Sequence, residues 1–211
     1  MEYSVSQDSR RASVYGTLSK LFDGPPDREF FDKLISSGFL DFKSDAGKIP
    51  ACPFDNVDLE ELNVEYTRLF LGPGKHVSPF ASVHRSGKPG SGDLWDSSTG
   101  EVLRFMKHYG LSLSRPGAIP DHISILFEFM EKVILAKIRD TRASTPRSSR
   151  QESFNKADDI QIRFFSTYIS SWVDEFLAEV DRAKPHVFYE EVVAFTREFI
   201  RQESLVLHIE S

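Results

Sequence analysis

Residues 65–84 read Glu-Tyr-Thr-Arg-Leu-Phe-Leu-Gly-Pro-Gly-Lys-His-Val-Ser-Pro-Phe-Ala-Ser-Val-His. The stretch begins as the end of an apolar pattern with helical spacing, which is formed by Leu59, Leu62, Tyr66, Leu69 and Phe70. Gly and Pro residues then interrupt the pattern at 72–74, and they recur without periodicity as far as residue 95. The sequence therefore predicts a helix that runs into a long loop, and loops of this length are often functional.

The other apolar stripes also have the spacing of helices rather than of strands. They predict helices around residues 14–22, 30–35, 102–109, 123–138, 164–180 and 188–199. Residues 140–153, which are rich in Ser, Thr and Arg, are predicted to be a surface loop or linker, and residues 205–209 a short strand or a tail. The chain is predicted to be all-α, a single domain over residues 1–211 with roughly seven to nine helices and one long Gly/Pro loop.

Composition excludes several classes of function. The chain has 211 residues and a net charge of -6, which argues against non-specific nucleic-acid binding and suits a basic partner. The single cysteine, Cys52, allows neither an intramolecular disulfide nor a thiolate metal cage. We find no signal-peptide pattern and no apolar run long enough for a membrane span, so we expect a cytoplasmic protein.

No motif for a cofactor is found. Gly72-Pro73-Gly74-Lys75 resembles part of a phosphate loop, but the full spacing is absent and His76 stands where Ser or Thr would bind magnesium. The six histidines lack the local spacing of metal ligands, and His76 and His84 are predicted to be solvated loop residues. We therefore expect neither a bound cofactor nor a metal.

Asp121 and His122 open the predicted helix over residues 123–138. The simplest interpretation is that Asp121 caps this helix and His122 lies in its first turn. An Asp-His pair can also serve acid–base chemistry, although no nucleophile motif accompanies it here. The carboxylate can also receive a guanidinium from a partner.

Two motifs, taken together, resemble those of the TorD/DmsD/NarJ family of redox-enzyme maturation chaperones. The first combines Glu65-Tyr66-x-x-Leu69-Phe70 with Gly72-Pro73 and Pro79-Phe80-x-Ser82-Val83. The second is Pro120-Asp121-His122, followed by a helix that carries Phe129 and Met130. The sequence departs from the family at Ser78-Pro79-Phe80, where Pro-Pro followed by Tyr or Trp is common, and at His84, where Tyr is common.

The resemblance implies an all-helical cytoplasmic chaperone, not an enzyme. It would bind the twin-arginine signal peptide of a molybdopterin oxidoreductase subunit and hold that subunit until its molybdenum cofactor is inserted. Apart from the resemblance, the long loops could act as hinges, so we expect a monomer or a domain-swapped dimer. The residues that the resemblance implies for peptide binding are Tyr66, Leu69, Phe70, Pro79, Phe80, Ser82, Pro120, Asp121 and His122. Two alternatives stay open: a helical hydrolase that uses Asp121 and His122, and a regulatory scaffold that binds an unrelated peptide.

Overall fold

The computed structural model describes residues 2–38, 57–72, 75–85, 97–110, 117–142 and 147–209. Within these residues the protein is helical, and the only β-type pairing is one isolated bridge between Phe80 and His122. The helices are α1 (Glu2–Asp23), α2 (Arg28–Ser36), α3 (Leu59–Tyr66), α4 (Ala81–Arg85), α5 (Ser97–His108), α6 (Ile123–Arg142), α7 (Arg147–Phe164), α8 (Val173–Arg182) and α9 (Val187–Val206). Two π-helical turns, Thr67–Leu71 and Phe165–Ile169, extend α3 and α7. The predicted all-α class is confirmed.

The helices pack around one core that is rich in aromatic rings. Phe22, Phe70 and Phe176 meet near its centre, with ring centroids separated by between 5.7 and 6.2 Å. Each ring is buried, and burying a side chain of this size contributes about 1.5–3 kcal/mol of hydrophobic stabilisation. The many phenylalanines of the sequence therefore serve mainly to join α1, α3 and α8 in one core.

A buried charge network joins the first helix to the last. The Arg11 guanidinium donates from Nε to Glu203 Oε1 and from one Nη to Glu203 Oε2, both at 2.7 Å. It also donates to Asp8 Oδ1 at 3.0 Å and to Gln161 Oε1 at 2.9 Å. Burial by itself lowers the pKa of Arg11, but the hydrogen bonds and charge of Glu203 outweigh it, so the net pKa is raised. Arg11 therefore stays charged, with its charge compensated inside the protein.

The structure corrects several boundaries that the sequence predicted. The helix predicted around residues 14–22 begins earlier, at Glu2. The predicted linker over residues 140–153 is helical at 140–142 and 147–153, since α6 and α7 extend into it. The predicted long helix over 164–180 is interrupted by the π-helical turn and by residues 170–172. Residues 205–206 complete α9, so the proposed terminal strand is wrong.

Half of the predicted Gly/Pro loop lies outside the described residues, at 73–74 and 86–95. Its described part contains the short helix α4, which the sequence did not predict. Gly38 follows α2 with φ of 63°, a left-handed conformation that glycine adopts without strain, and it ends α2. Cys52 also falls outside the described residues.

Candidate functional site

The two sequence motifs meet at the isolated bridge between Phe80 and His122. The Ala81 amide donates to the Asp121 carbonyl at 3.0 Å, and the Ile123 amide donates to the Pro79 carbonyl at 2.9 Å. These two hydrogen bonds fix the segment before α4 beside the start of α6. Residues about 40 positions apart in the sequence thus form one local structure.

Asp121 holds this junction together from the inside. Its side chain is fully buried, and its Oδ2 accepts a hydrogen bond from the Ser82 amide at 2.8 Å. The carboxylate therefore satisfies an amide at the start of α4, and the predicted cap on α6 is wrong. At the start of α6 the acceptor is instead His122 Nδ1, which lies 3.2 Å from the Ser124 amide. Asp121 Oδ1 and Ser82 Oγ are buried without a hydrogen-bond partner.

A cleft of about 280 Å³ opens beside this junction. Its lining is partly apolar, and in it the Phe80 ring meets the His122 imidazole edge-on at a centroid distance of 5.0 Å. The lining also includes Asp23, an exposed carboxylate at the end of α1. The Ser124 hydroxyl lies 2.7 Å from His122 Nδ1 and 3.1 Å from Asp23 Oδ1, so it links the two groups. The cleft is lined by Asp23, Phe80, Gly117, Ala118, Ile119, His122, Ser124 and Ile125.

The sequence-predicted site residues separate into two groups in the structure. Phe80 and His122 are partly exposed and line the cleft. The other seven are buried: Tyr66, Leu69, Phe70, Pro79, Ser82, Pro120 and Asp121. Their part in peptide binding stays a prediction, and in this structure they support the cleft from behind rather than form its surface.

Tyr66, Leu69 and Phe70 lie in the core, with exposed fractions of 2%, 1% and 4%. An apolar stripe with helical spacing packs inward by default, and this one does. The Tyr66 hydroxyl donates to the carbonyl of Phe22 at 2.9 Å, directly before Asp23. The Leu69 carbonyl accepts from the Val77 amide at 2.7 Å, two residues before Pro79. These contacts position both walls of the cleft.

Glu65 and Arg68 form an ion pair that holds α3 in place and that the sequence did not predict. Their side chains make a bidentate ion pair at 2.7 and 2.8 Å. Glu65 also accepts from the His186 amide at 2.7 Å, and Arg68 donates to the Ala183 carbonyl at 3.2 Å. The hydrogen bond from Arg68, the largest effect, lowers the pKa of Glu65. The pair joins α3 to the turn between α8 and α9.

His84 is not the solvated loop residue that the sequence predicted. It lies in α4, half-buried, and its Nε2 is 2.7 Å from the Ser78 carbonyl. Its ring stacks on Trp172 with a centroid separation of 5.3 Å and an interplanar angle of 21°. The imidazole thus joins α4 to the beginning of α8 through the core.

The geometry does not support the hydrolase alternative. The Asp121 carboxylate binds a backbone amide, whereas His122 Nδ1 faces Ser124. In the described ranges no three His, Cys, Asp or Glu residues are grouped so that they could bind a metal ion. Among the helices that the structure describes, none combines the length and apolar character that crossing a bilayer requires.

Comparison with known proteins gives the family. Residues 50–178 match a family model described as nitrate reductase delta subunit. Proteins named chaperone protein TorD match nearly the whole chain. The one from Shewanella loihica is 25% identical over 89% of this chain and 88% of its own length. The one from Shewanella pealeana is 23% identical over 93% of this chain and 89% of its own length.

A solved structure is also among the similar proteins. It is described as a redox enzyme maturation protein from Archaeoglobus fulgidus and is 21% identical, covering 71% of this chain and 90% of its own. Its TM-score of 0.43 is too low to add to the fold assignment. The named relatives are chaperones and not catalysts, and the matched family model spans more than half of the chain. The chain therefore belongs to the TorD/DmsD/NarJ family of redox-enzyme maturation chaperones and is not an enzyme.

Proposed function

We propose that this chaperone binds the twin-arginine signal peptide of a molybdoenzyme catalytic subunit. It would act in the cytoplasm on the signal peptide and the body of that subunit, assisting insertion of the molybdenum cofactor before export. The whole chain, residues 1–211, would form the one domain that does this.

The observation that carries the proposal is the cleft beside the bridge between Phe80 and His122. It combines an apolar wall with the exposed carboxylate of Asp23. A twin-arginine signal has a basic segment followed by an apolar one, so the two chemistries of the cleft suit the two parts of the peptide. A carboxylate can accept two parallel hydrogen bonds from a guanidinium, which an ammonium cannot reproduce. The net charge of -6 favours approach of a basic peptide.

The buried residues of the two motifs have an indirect part in this proposal. Asp121 fixes Ser82 and, through its carbonyl, Ala81, so it determines where the Phe80 ring lies. Tyr66 holds the end of α1 that carries Asp23. We expect substitutions at these positions to change peptide binding by displacing a cleft wall rather than by removing a direct contact.

The test is a calorimetric titration with a peptide that carries two arginines before an apolar segment, and with its twin-lysine counterpart. Wild type should bind the twin-arginine peptide more tightly, since only the guanidinium can pair in bidentate fashion. Asp23→Asn should weaken twin-arginine binding by about tenfold and reduce its dependence on salt, because one charge-assisted contact is lost.

The matched control is Asp27→Asn. This variant removes the same negative charge four residues away from Asp23, outside the cleft. The Asp27 carboxylate caps α2 by accepting from the Phe30 amide, and the oxygen of an asparagine side chain can replace it as the cap. This variant should bind like wild type. If wild type, Asp23→Asn and Asp27→Asn all bind the twin-arginine and twin-lysine peptides equally well, Asp23 has no role in recognition. If peptides without basic residues bind as tightly as the twin-arginine peptide, the result favours the scaffold alternative.

A further inference from the structure

A second cavity, of about 480 Å³, lies between α1 and α9 and shares no lining residue with the cleft. Its walls are mainly apolar, with Val14 on α1 and Phe195, Phe199 and Val206 on α9. Small-molecule sites in proteins usually have volumes of about 300–1,000 Å³ and apolar walls with a few polar groups. The size and lining of this cavity therefore suit a small ligand.

The charges around the cavity favour an anion. Glu203 lines it, but its carboxylate is already paired with Arg11 and also accepts from the Tyr15 hydroxyl at 2.9 Å. Arg10 lies at the rim, where it is exposed and makes no ion pair with any carboxylate of the described residues. Among the described residues that line the cavity, the charge that remains available to a ligand is thus the positive charge of Arg10, in a chain whose net charge is -6.

We propose that this cavity binds a small molecule with an apolar body and one carboxylate, of the class of medium-chain aliphatic carboxylates. One guanidinium matches one carboxylate in charge and in hydrogen-bond geometry, whereas a doubly charged phosphate would keep one charge uncompensated. The lining spans residues 7–14 on α1 and 195–206 on α9, which is about 10 Å and about 16 Å at a rise of 1.5 Å per residue. A single medium-length alkyl chain can be accommodated along either helix.

The site is independent of the proposed peptide binding, since neither depends on the residues of the other. The first experiment titrates octanoate, octan-1-ol and octylammonium into the full chain at low salt by calorimetry. Octanoate should bind with a Kd on the order of a millimolar or below, as expected for about ten heavy atoms in an apolar pocket. Octan-1-ol should bind several-fold more weakly and octylammonium more weakly still. No detectable binding of octanoate at 10 mM, roughly ten times that Kd, overturns the proposal.

Two variants locate the ligand. Arg10→Gln should weaken octanoate binding about 5- to 10-fold and leave octan-1-ol unchanged, because only the charged contact is removed. Arg163→Gln, an equal change of charge at an exposed position of α7, is the matched control and should bind like wild type. Val14→Trp should abolish binding of octanoate and octan-1-ol by filling the cavity.

Each outcome decides the proposal. Octanoate binding that is equal in Arg10→Gln and wild type, or equal for octanoate and octan-1-ol, overturns the charged contact. Binding that persists in a folded Val14→Trp protein overturns the location. If Val14→Trp does not fold, as a thermal melt would show, the comparison of Arg10→Gln with Arg163→Gln still decides whether the ligand lies at this rim.

Discussion

Asp121 illustrates at the residue scale how a buried carboxylate can build a site without forming its surface. One oxygen accepts the Ser82 amide at 2.8 Å and the other is buried without a partner. Asp121→Ala would leave the Ser82 amide unsatisfied inside the protein, so we expect a loss of about 1–3 kcal/mol in the free energy of unfolding. Asp121→Asn keeps an acceptor oxygen and should lose less. Urea denaturation of the three proteins measures the difference.

An exposed aspartate provides the control for this prediction. Asp27 makes the same kind of hydrogen bond at the start of α2, where its Oδ1 accepts from the Phe30 amide. Because water can replace an exposed cap, Asp27→Ala should cost about 1 kcal/mol. If Asp121→Ala costs no more than Asp27→Ala, then the buried hydrogen bond does not hold the junction as we infer.

Leu69 and Phe70 give a second prediction, because the structure places both in the core. Leu69→Ala and Phe70→Ala should each reduce the free energy of unfolding by about 2–5 kcal/mol through lost burial and the cavity left behind. Denaturant melts measure this, and Leu71→Ala is the matched control because Leu71 is 65% exposed. A cost below 1 kcal/mol for the buried pair would show that these side chains are not packed as described.

The sequence predicted the residues at the junction better than it predicted their orientation. Phe80 and His122 were found from the motifs and do line the cleft. An apolar stripe has the same spacing whether it faces a groove or a core, so Tyr66, Leu69 and Phe70 could not be assigned to either. Asp23 carried no local signal, because only the packing of α1 against α6 brings it within 3.1 Å of Ser124.

At the element scale, the helices were predictable and their interruptions were not. Apolar residues between 164 and 180 keep a helical spacing, yet the chain widens into a π-helical turn at Phe165–Ile169. The Trp172 indole N–H then donates to the Tyr168 carbonyl at 2.7 Å, which satisfies a group that the interruption exposes. Five-residue α4 escaped prediction because it is too short to show periodicity.

The packing of α1 on α6 gives a prediction about pH. Gly16 allows the Glu131 carboxylate to lie against α1, because a Cβ at residue 16 would overlap that carboxylate. Burial, and then the charge of Glu128, raise the pKa of Glu131 above its usual value of 4.5. The folded protein therefore binds this proton more tightly than the unfolded chain. Above the raised pKa the charged carboxylate disfavours folding. This penalty shrinks as the pH falls through that pKa, and it is gone below the pKa of the unfolded chain.

Glu131→Gln removes that penalty, so it should increase the free energy of unfolding at pH 7. The difference from wild type should vanish by about pH 4, where the carboxyl group is largely protonated even in the unfolded chain. Glu198→Gln is a control of opposite sign, since the hydrogen bond from Arg201 lowers the pKa of Glu198. Denaturant melts at several pH values measure these differences. If Glu131→Gln were destabilising at pH 7 and neutral at pH 4, the carboxylate of Glu131 would not have the raised pKa that we infer.

At the scale of the whole molecule, one network of buried charges connects helices that are far apart in sequence. Arg11 on α1 pairs with Glu203 on α9, and Asp8 on α1 pairs with Lys137 on α6 at 3.0 Å. Lys137 also pairs with Asp158 on α7 at 2.7 Å. Asp8, Arg11, Lys137 and Glu203 are polar and buried, whereas Asp158 is partly exposed. Hydrophobic periodicity could not have predicted that these polar side chains are buried.

The Arg11–Glu203 pair leads to a prediction about how the termini are held. Glu203→Leu would leave the buried guanidinium with only Asp8 as a charged partner, and removal of one member of a buried pair typically costs about 3–5 kcal/mol. Arg11→Met should be costly as well, because it leaves the Glu203 carboxylate unpaired. The double variant has an apolar pair of similar volume and should recover most of the loss, since neither charge then needs a partner. Its coupling energy, from urea denaturation of the four proteins, should therefore be about 2 kcal/mol or more.

The same four proteins also test whether the network and the cleft are independent. The network lies in the first half of α1 and Asp23 at its end, 12 residues or about 18 Å along the helix from Arg11 at 1.5 Å per residue. The double variant should therefore bind a twin-arginine peptide like wild type once it is folded, even though each single variant is less stable. Additive stability losses without coupling would mean that the two charges do not pair in solution. Weaker peptide binding by the folded double variant would mean that the position of α1 depends on the network along its whole length, and that Asp23 is positioned from both ends of its helix.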